Sequence, residues 1–126
     1  MIAELIRLNL KPGIVIPKPE AKGDFTFKGW GKRRNQPALI YTIPNHADAA
    51  RPYEKGVTER EFEAAYNQLM RSDFLTREWF NNALPACAKE GGCNFTPIGG
   101  LFELLGLAEY SSRGRYARTR LLSKPT

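Results

Sequence analysis

The residues best suited to chemistry are the arginines near the C-terminus, in the segment SSRGRYARTR. Alternate side chains of an extended strand share a face, so Tyr116, Arg118 and Arg120 would lie together. An aromatic ring beside two guanidinium groups suits stacking on a base and contact with phosphates. The alternative is an edge strand whose charges prevent aggregation. We predict that Arg113, Arg115, Tyr116, Arg118 and Arg120 contact nucleic acid.

A second group of cations surrounds a tryptophan in the segment GWGKRR. Trp30, flanked by glycines in what reads as a loop, could stack on a base or a ribose. Lys32, Arg33 and Arg34 would then contact phosphates. The alternative is that Trp30 folds back onto the core and leaves the three cations exposed in solvent.

The distribution of charge agrees with these two groups. The 126 residues carry a formal net charge of +6. Residues 25–47 and 111–126 contain four and five cations and no acid, so the rest of the chain carries −3. Such concentrated positive charge favours a polyanionic partner, and we expect DNA in preference to RNA. A merely basic protein without such a partner is the alternative.

Catalytic and metal-binding patterns are sparse. His46, the single histidine, lies near Asp48 and could act as a general acid or base in a small nuclease. Cys87 and Cys93 have five residues between them, a wider spacing than zinc pairs usually show. We expect Cys87 in the core and Cys93 as a loop thiol. The sequence therefore predicts binding without catalysis, and no metal or cofactor.

The first 24 residues are predicted to be an arm or edge element. Lys11-Pro12-Gly13 ends an apolar segment that could be helix or strand, and Pro17 and Pro19 break the chain again. This arm could pack on its own domain or form a homodimer. No apolar stretch approaches bilayer length and no secretory pattern is present, so we expect a cytoplasmic protein without a membrane partner.

Residues 25–126 are predicted to form one α+β domain with an N-terminal β-hairpin, three helices and a C-terminal β-hairpin. The first hairpin covers residues 25–43. Thr58 and Glu61 fit a capping box at the start of the clearest helix. Thr76 is a second N-cap, and Pro85 kinks or divides the helix that follows. The third helix begins at Thr96-Pro97 and ends at Gly106.

The segment NFTPIGGLFELLGLAEYSSRGRYARTR gives a short helix, a stop, a strand, a basic turn and a second strand. This order resembles the end of a winged helix-turn-helix domain, with a likeness over about residues 58–122. Many such regulators end their recognition helix with two leucines and a Leu-Gly-Leu turn, and then carry a wing with a Gly-Arg tip. The resemblance implies a helix in the major groove and a wing along the DNA backbone.

The helix over residues 97–105 departs from that pattern, because it has no Arg, Lys, Asn or Gln with which to read base edges. We therefore expect contacts from its start, where Asn94, Thr96 and backbone amides could meet a phosphate, and from the wing. Gly99 and Gly100 would allow either close approach of a ligand or tight helix packing.

These patterns predict a small DNA-binding regulator or accessory protein of prokaryotic or phage type, held mainly by phosphate contacts. The first alternative is a protein-interaction, assembly or inhibitor module that uses the N-terminal arm and the helix over residues 76–89. The second alternative is the nuclease-like enzyme that uses His46.

Overall fold

The N-terminal residues form a helix that belongs to the core. The computed structural model describes residues 1–19 and 24–119. Helix α1 covers Ile2–Asn9, and its buried Ile2 and Ile6 lie on the side that packs against α2, Glu59–Ser72. Strand β1, Val15–Ile16, pairs with the first hairpin. The predicted arm therefore packs on its own domain over its described residues.

The first hairpin is part of a four-stranded antiparallel sheet in the order β1-β2-β3-β4. Strands β2 (Phe25–Arg33), β3 (Gln36–Ile43) and β4 (Tyr53–Thr58) follow one another along the chain. Only Arg34 and Asn35, with φ of 51° and 60°, form the turn between β2 and β3. Two positive φ values match the tight turns that follow the twist of the strands. The basic segment predicted as a loop is therefore mostly strand.

The helical part contains the expected caps. Thr58 and Glu61 form the capping box of α2, and Thr76 Oγ1 accepts a hydrogen bond from Trp79 N at 3.1 Å. Helices α3 (Arg77–Ala83) and α4 (Pro85–Glu90) are separated at Pro85. A 3-10 turn, Gly92–Asn94, leads into α5, Phe95–Leu104. Residues 1–19 and 24–119 thus contain five α-helices rather than the three predicted, because α1 and α4 are additional.

The C-terminal hairpin belongs to a second sheet in the order β5-β7-β6. Strand β5 (Phe74–Thr76) lies between α2 and α3, and β6 (Ala108–Ser112) and β7 (Arg115–Arg118) form the hairpin. Its tip is Arg113-Gly114, where Gly114 has a φ of 72°. The strand β7 is central, so both its edges are paired.

One apolar core joins both sheets and the helices, which makes the chain a single α+β domain as predicted. Helix α5 runs through this core, with seven of its ten residues buried. A Cβ on Gly99 would lie 2.1 Å from the Tyr116 ring, and one on Gly100 would lie 2.6 Å from Ile16 Cγ2. Both glycines therefore serve tight packing. No helix in the described part of the chain is long and apolar enough to cross a membrane.

Candidate functional site

The tip of the C-terminal hairpin is fastened to the start of α3. The backbone N–H of Arg77 donates to the carbonyl of Gly114 at 2.9 Å. Arg113 and Arg115 are both exposed beside this contact. The guanidinium carbon of Arg115 lies 3.8 Å from the centre of the Phe74 ring. The hairpin thus exposes two cations to solvent, and the hydrogen bond to α3 holds its tip in place.

Tyr116 does not share this accessibility. Its side chain is 2% exposed and packs against the rings of Phe95 and Tyr110, with centroid distances of 5.6 and 5.8 Å. Burial raises the pKa of the Tyr116 hydroxyl. The prediction that Tyr116 stacks on a base is corrected, because the face of β7 that carries it is turned toward α5.

Arg118 stabilises the domain. Its Nη1 donates to the carbonyl of Met70 at 3.1 Å and lies 3.7 Å from Asp73 Oδ1, which joins β7 to the end of α2. This use of the guanidinium competes with the predicted phosphate contact. Arg120 lies outside the described residues.

A cleft opens beside the hairpin tip, with a volume of about 310 Å³. We call it the basic cleft. Three cations and no described acid line it, together with Thr96 and three aromatic rings; the full lining is Lys18, Pro19, Arg77, Phe95, Thr96, Tyr110, Arg113, Gly114 and Tyr116. The cleft can therefore hold an anion, and it brings together the predicted residues Thr96 and Arg113.

Arg77 and Lys18 were missed in the sequence. Arg77 Nη1 donates to the carbonyl of Gly92 at 2.8 Å, and its guanidinium carbon lies 4.9 Å from the Phe95 ring centre. A cation at the first position of a helix is unfavourable beside the positive end of the helix dipole. An arginine directly after the Thr76 N-cap is therefore the feature of the sequence that could have marked Arg77 as a candidate anion-binding residue. No sequence signal distinguishes Lys18.

In the second predicted group, around Trp30, acidic side chains neutralise most of the positive charge. Arg34 lies 2.5 Å from Glu61 and 2.7 Å from Glu90, with 18% of its side chain exposed. Burial by itself lowers the pKa of Arg34, but the hydrogen bonds to Glu61 and Glu90 outweigh that effect and raise it. Arg33 donates to the carbonyl of Glu54 at 3.2 Å and lies 3.9 Å from Glu90. A phosphate would compete with these acidic and carbonyl oxygens for Arg33 and Arg34, so the predicted phosphate contacts of both residues stay a prediction.

Trp30 folds back onto the core, which was the alternative to base stacking. Its ring lies edge-on to Phe27 at 6.1 Å, and the Arg7 guanidinium carbon covers it at 3.9 Å. With Arg7 on its face, Trp30 is not free to stack on a base. Lys32 remains exposed at the end of β2.

Asn94 is fully buried and links α4 to strand β3 of the first sheet. Its Nδ2 donates to the carbonyl of Cys87 at 3.0 Å, and its Oδ1 accepts from the Tyr41 hydroxyl at 2.6 Å. Both hydrogen bonds satisfy polar groups that burial would otherwise leave unpaired. The predicted phosphate contact by Asn94 is therefore corrected.

The residues considered for catalysis and metal binding are dispersed. His46 is exposed in the connection between β3 and β4, and Asp48 pairs with Arg51 at 3.7 Å. Cys87 is buried, Cys93 is half-buried, and both thiols are free. Over residues 1–19 and 24–119, no group of three or more His, Cys, Asp or Glu side chains could hold a metal ion.

The apolar faces that an interaction module would use are mostly turned inward. Ile2 and Ile6 of α1, Phe80 of α3 and Cys87 of α4 are all buried. Leu8, at 83% exposed, is the clearest apolar side chain of α1 that faces solvent.

Comparisons with family models, with curated proteins and with solved structures found no match for this chain.

Proposed function

We propose that this protein binds nucleic acid, DNA in preference to RNA, as a small regulator or accessory factor. One observation carries the proposal: exposed Arg113 and Arg115 stand beside a cleft that Lys18 and Arg77 line and that has no described acid. Arginine matches the geometry of phosphate oxygens and keeps its charge at any physiological pH.

The order of the elements supports a winged-helix-like arrangement for this binding. A basic hairpin follows the last helix, and β5 from the helical part adds a third strand to it. In such an arrangement the hairpin tip is the wing that follows the nucleic-acid backbone. The wing is the accessible part here, since α5 is mostly buried.

The mode of binding follows from what α5 lacks. Its partly exposed residues are Thr96, Glu103 and Leu104, which supply no side chain of the kind that reads a base pair with two hydrogen bonds. Affinity would come from cations on phosphates, so binding depends little on sequence and strongly on salt.

A salt titration tests the proposal. We expect a mobility shift with duplex DNA at about 50 mM salt that weakens steeply toward about 200 mM. The double variant Arg113→Ala/Arg115→Ala should reduce the slope of log K against log salt by about 2, since each lost phosphate contact contributes about one.

The matched control is Arg60→Ala/Lys89→Ala, which removes two exposed cations from α2 and α4 and gives the same net charge. It should leave the slope close to that of the unaltered protein. No mobility shift at low salt would contradict the proposal. An equal decrease of the slope in both double variants would show that binding depends only on net charge and not on the hairpin tip.

A further inference from the structure

We infer that the basic cleft binds the terminal phosphate monoester of a nucleic-acid strand. This inference rests on the proposed function. It assigns the cleft a ligand of its own, separate from the nucleic-acid backbone that the exposed hairpin tip would contact. The wing cations can follow a phosphodiester backbone over the surface. The cleft instead has three cations around one open space of about 310 Å³.

The charge in the cleft is better matched to a monoester than to a diester. Lys18, Arg77 and Arg113 line it, and none of the three has an ion pair with another described residue. Glu78 lines a neighbouring cleft that shares Arg77, Arg113 and Gly114 with this one, but it does not line the basic cleft itself. A phosphate monoester carries about −1.5 to −2 charges at neutral pH, whereas a backbone diester carries one.

Two of the three cations are held in place before any ligand arrives. Arg77 is fixed by the Gly92 carbonyl and the Phe95 ring, and the Lys18 ammonium lies 4.4 Å from the centre of the Phe25 ring. An arginine that is already fixed loses little conformational entropy when it binds a phosphate. The Thr96 hydroxyl adds a neutral donor at the cleft wall.

The size of the cleft and its aromatic wall favour a strand end over a duplex. Ligand pockets begin at about 300 Å³, so this volume suits one nucleotide. The half-buried ring of Tyr110 lines the cleft and is braced by Tyr116 at 5.8 Å. A terminal base, released from its stack, could place its face on Tyr110 while its phosphate meets the cations.

Fluorescence anisotropy with three versions of one labelled oligonucleotide tests the inference. They carry a 5′-phosphate, a 3′-phosphate or hydroxyl groups at both ends. We expect one phosphorylated version to bind about tenfold more tightly than the hydroxyl version, a difference typical of added charge-assisted hydrogen bonds. Arg77→Met should abolish this preference, so that the phosphorylated and hydroxyl versions bind with equal affinity.

Arg77 also contacts Gly92 and Phe95, so Arg113→Gln at the exposed tip serves as a second variant that spares the fold. It should reduce the preference for the phosphorylated end, whereas the control Lys32→Met should preserve that preference. Far-UV circular dichroism verifies that each variant is folded.

Equal affinity for phosphorylated and hydroxyl ends would overturn the inference and leave the proposed nucleic-acid binding standing. Failure of all three oligonucleotides to bind would overturn both. Competition by adenosine monophosphate separates a strand end from a free nucleotide as the source of the phosphate. If the mononucleotide binds as tightly as the phosphorylated strand, the assignment to a strand end is overturned.

Discussion

Glu61 connects two parts of the structure through one carboxylate. Its Oε1 accepts from the backbone N–H of Thr58 at 2.8 Å and from Arg34 at 2.5 Å. Burial by itself raises the pKa of Glu61, but the hydrogen bonds from Arg34 and Thr58 outweigh it and lower the pKa below the ordinary value of 4.5. The same side chain therefore caps α2 and holds the turn of the first hairpin.

This arrangement makes a prediction about stability and pH. A carboxylate with a lower pKa in the folded state stabilises the fold above about pH 4.5, and the effect is lost as pH falls through the folded-state pKa. Glu61→Gln should lower the free energy of unfolding at pH 7 by about 3 kcal/mol, because Arg34 loses a partly buried partner. Urea denaturation from pH 7 down to pH 3 measures both effects.

In that series, the curve for Glu61→Gln should be shallower than that of the unaltered protein at acid pH. The control is Glu109→Gln, an exposed carboxyl on β6. Parallel curves for Glu61→Gln and the unaltered protein would show that the carboxylate contributes nothing specific to the fold.

At the scale of elements, the contact between α5 and β7 helps to hold the C-terminal hairpin in place. Gly99 lets the Tyr116 ring lie directly on the helix, where a Cβ would come within 2.1 Å of it. The ring also packs on Phe95, which stands under Arg77. This close approach therefore helps to set the position of the hairpin and the wall of the basic cleft, together with the β5–β7 pairing and the Arg77–Gly114 hydrogen bond.

We predict that Gly99→Ala destabilises the domain by about 1–3 kcal/mol, the usual cost of overpacking a core. Gly92→Ala is the control, because the nearest atom to its added Cβ would be Arg77 Nη1 at an ordinary 3.8 Å. Guanidinium denaturation followed by circular dichroism gives both values. Equal stability of the two variants would mean that the Tyr116 ring moves aside without cost.

Local chemistry made some elements predictable and left others hidden. The caps at Thr58 and Thr76 and the division at Pro85 depend on residues within a few positions, so they could be predicted. Strand β4, with the sequence YEKGVT, has Glu, Lys and Gly in the middle of its strand-favouring residues, and it forms through its pairing with β3. Such pairing depends on the neighbouring strand, so it cannot be predicted from the sequence of β4 alone.

The site shows the same division between local and distant causes. Alternation along β7 correctly separates two faces, but it does not say that the face with Tyr116 is the buried one. Arg34 reads as a free cation until Glu61 and Glu90 are found beside it. The exposure of Arg113 and Arg115 could be predicted from the sequence because a tight turn exposes the side chains at its tip.

At the scale of the whole molecule, the two sheets share one core and should unfold together. The chain has two tryptophans: Trp30 lies on β2 in the first sheet, and Trp79 lies on α3 beside the second. Both pack against the same apolar cluster. Each tryptophan can therefore report on a different part of one cooperative unit.

We predict that single-tryptophan variants Trp30→Phe and Trp79→Phe each unfold in one transition. Within each variant, the midpoint from tryptophan fluorescence should coincide with the midpoint from far-UV circular dichroism, as two-state unfolding requires. A difference between the two probes in either variant would mean that the sheets unfold separately.

The order β5-β7-β6 has a consequence for how the chain folds during its synthesis. Strand β5 leaves the ribosome after the first sheet, but its only sheet neighbour in the described structure is β7, near the end of the described chain. Until β7 emerges, the backbone groups of β5 must hydrogen-bond to water. The first sheet can assemble during translation, whereas the second sheet and the basic cleft form only after β7 has emerged.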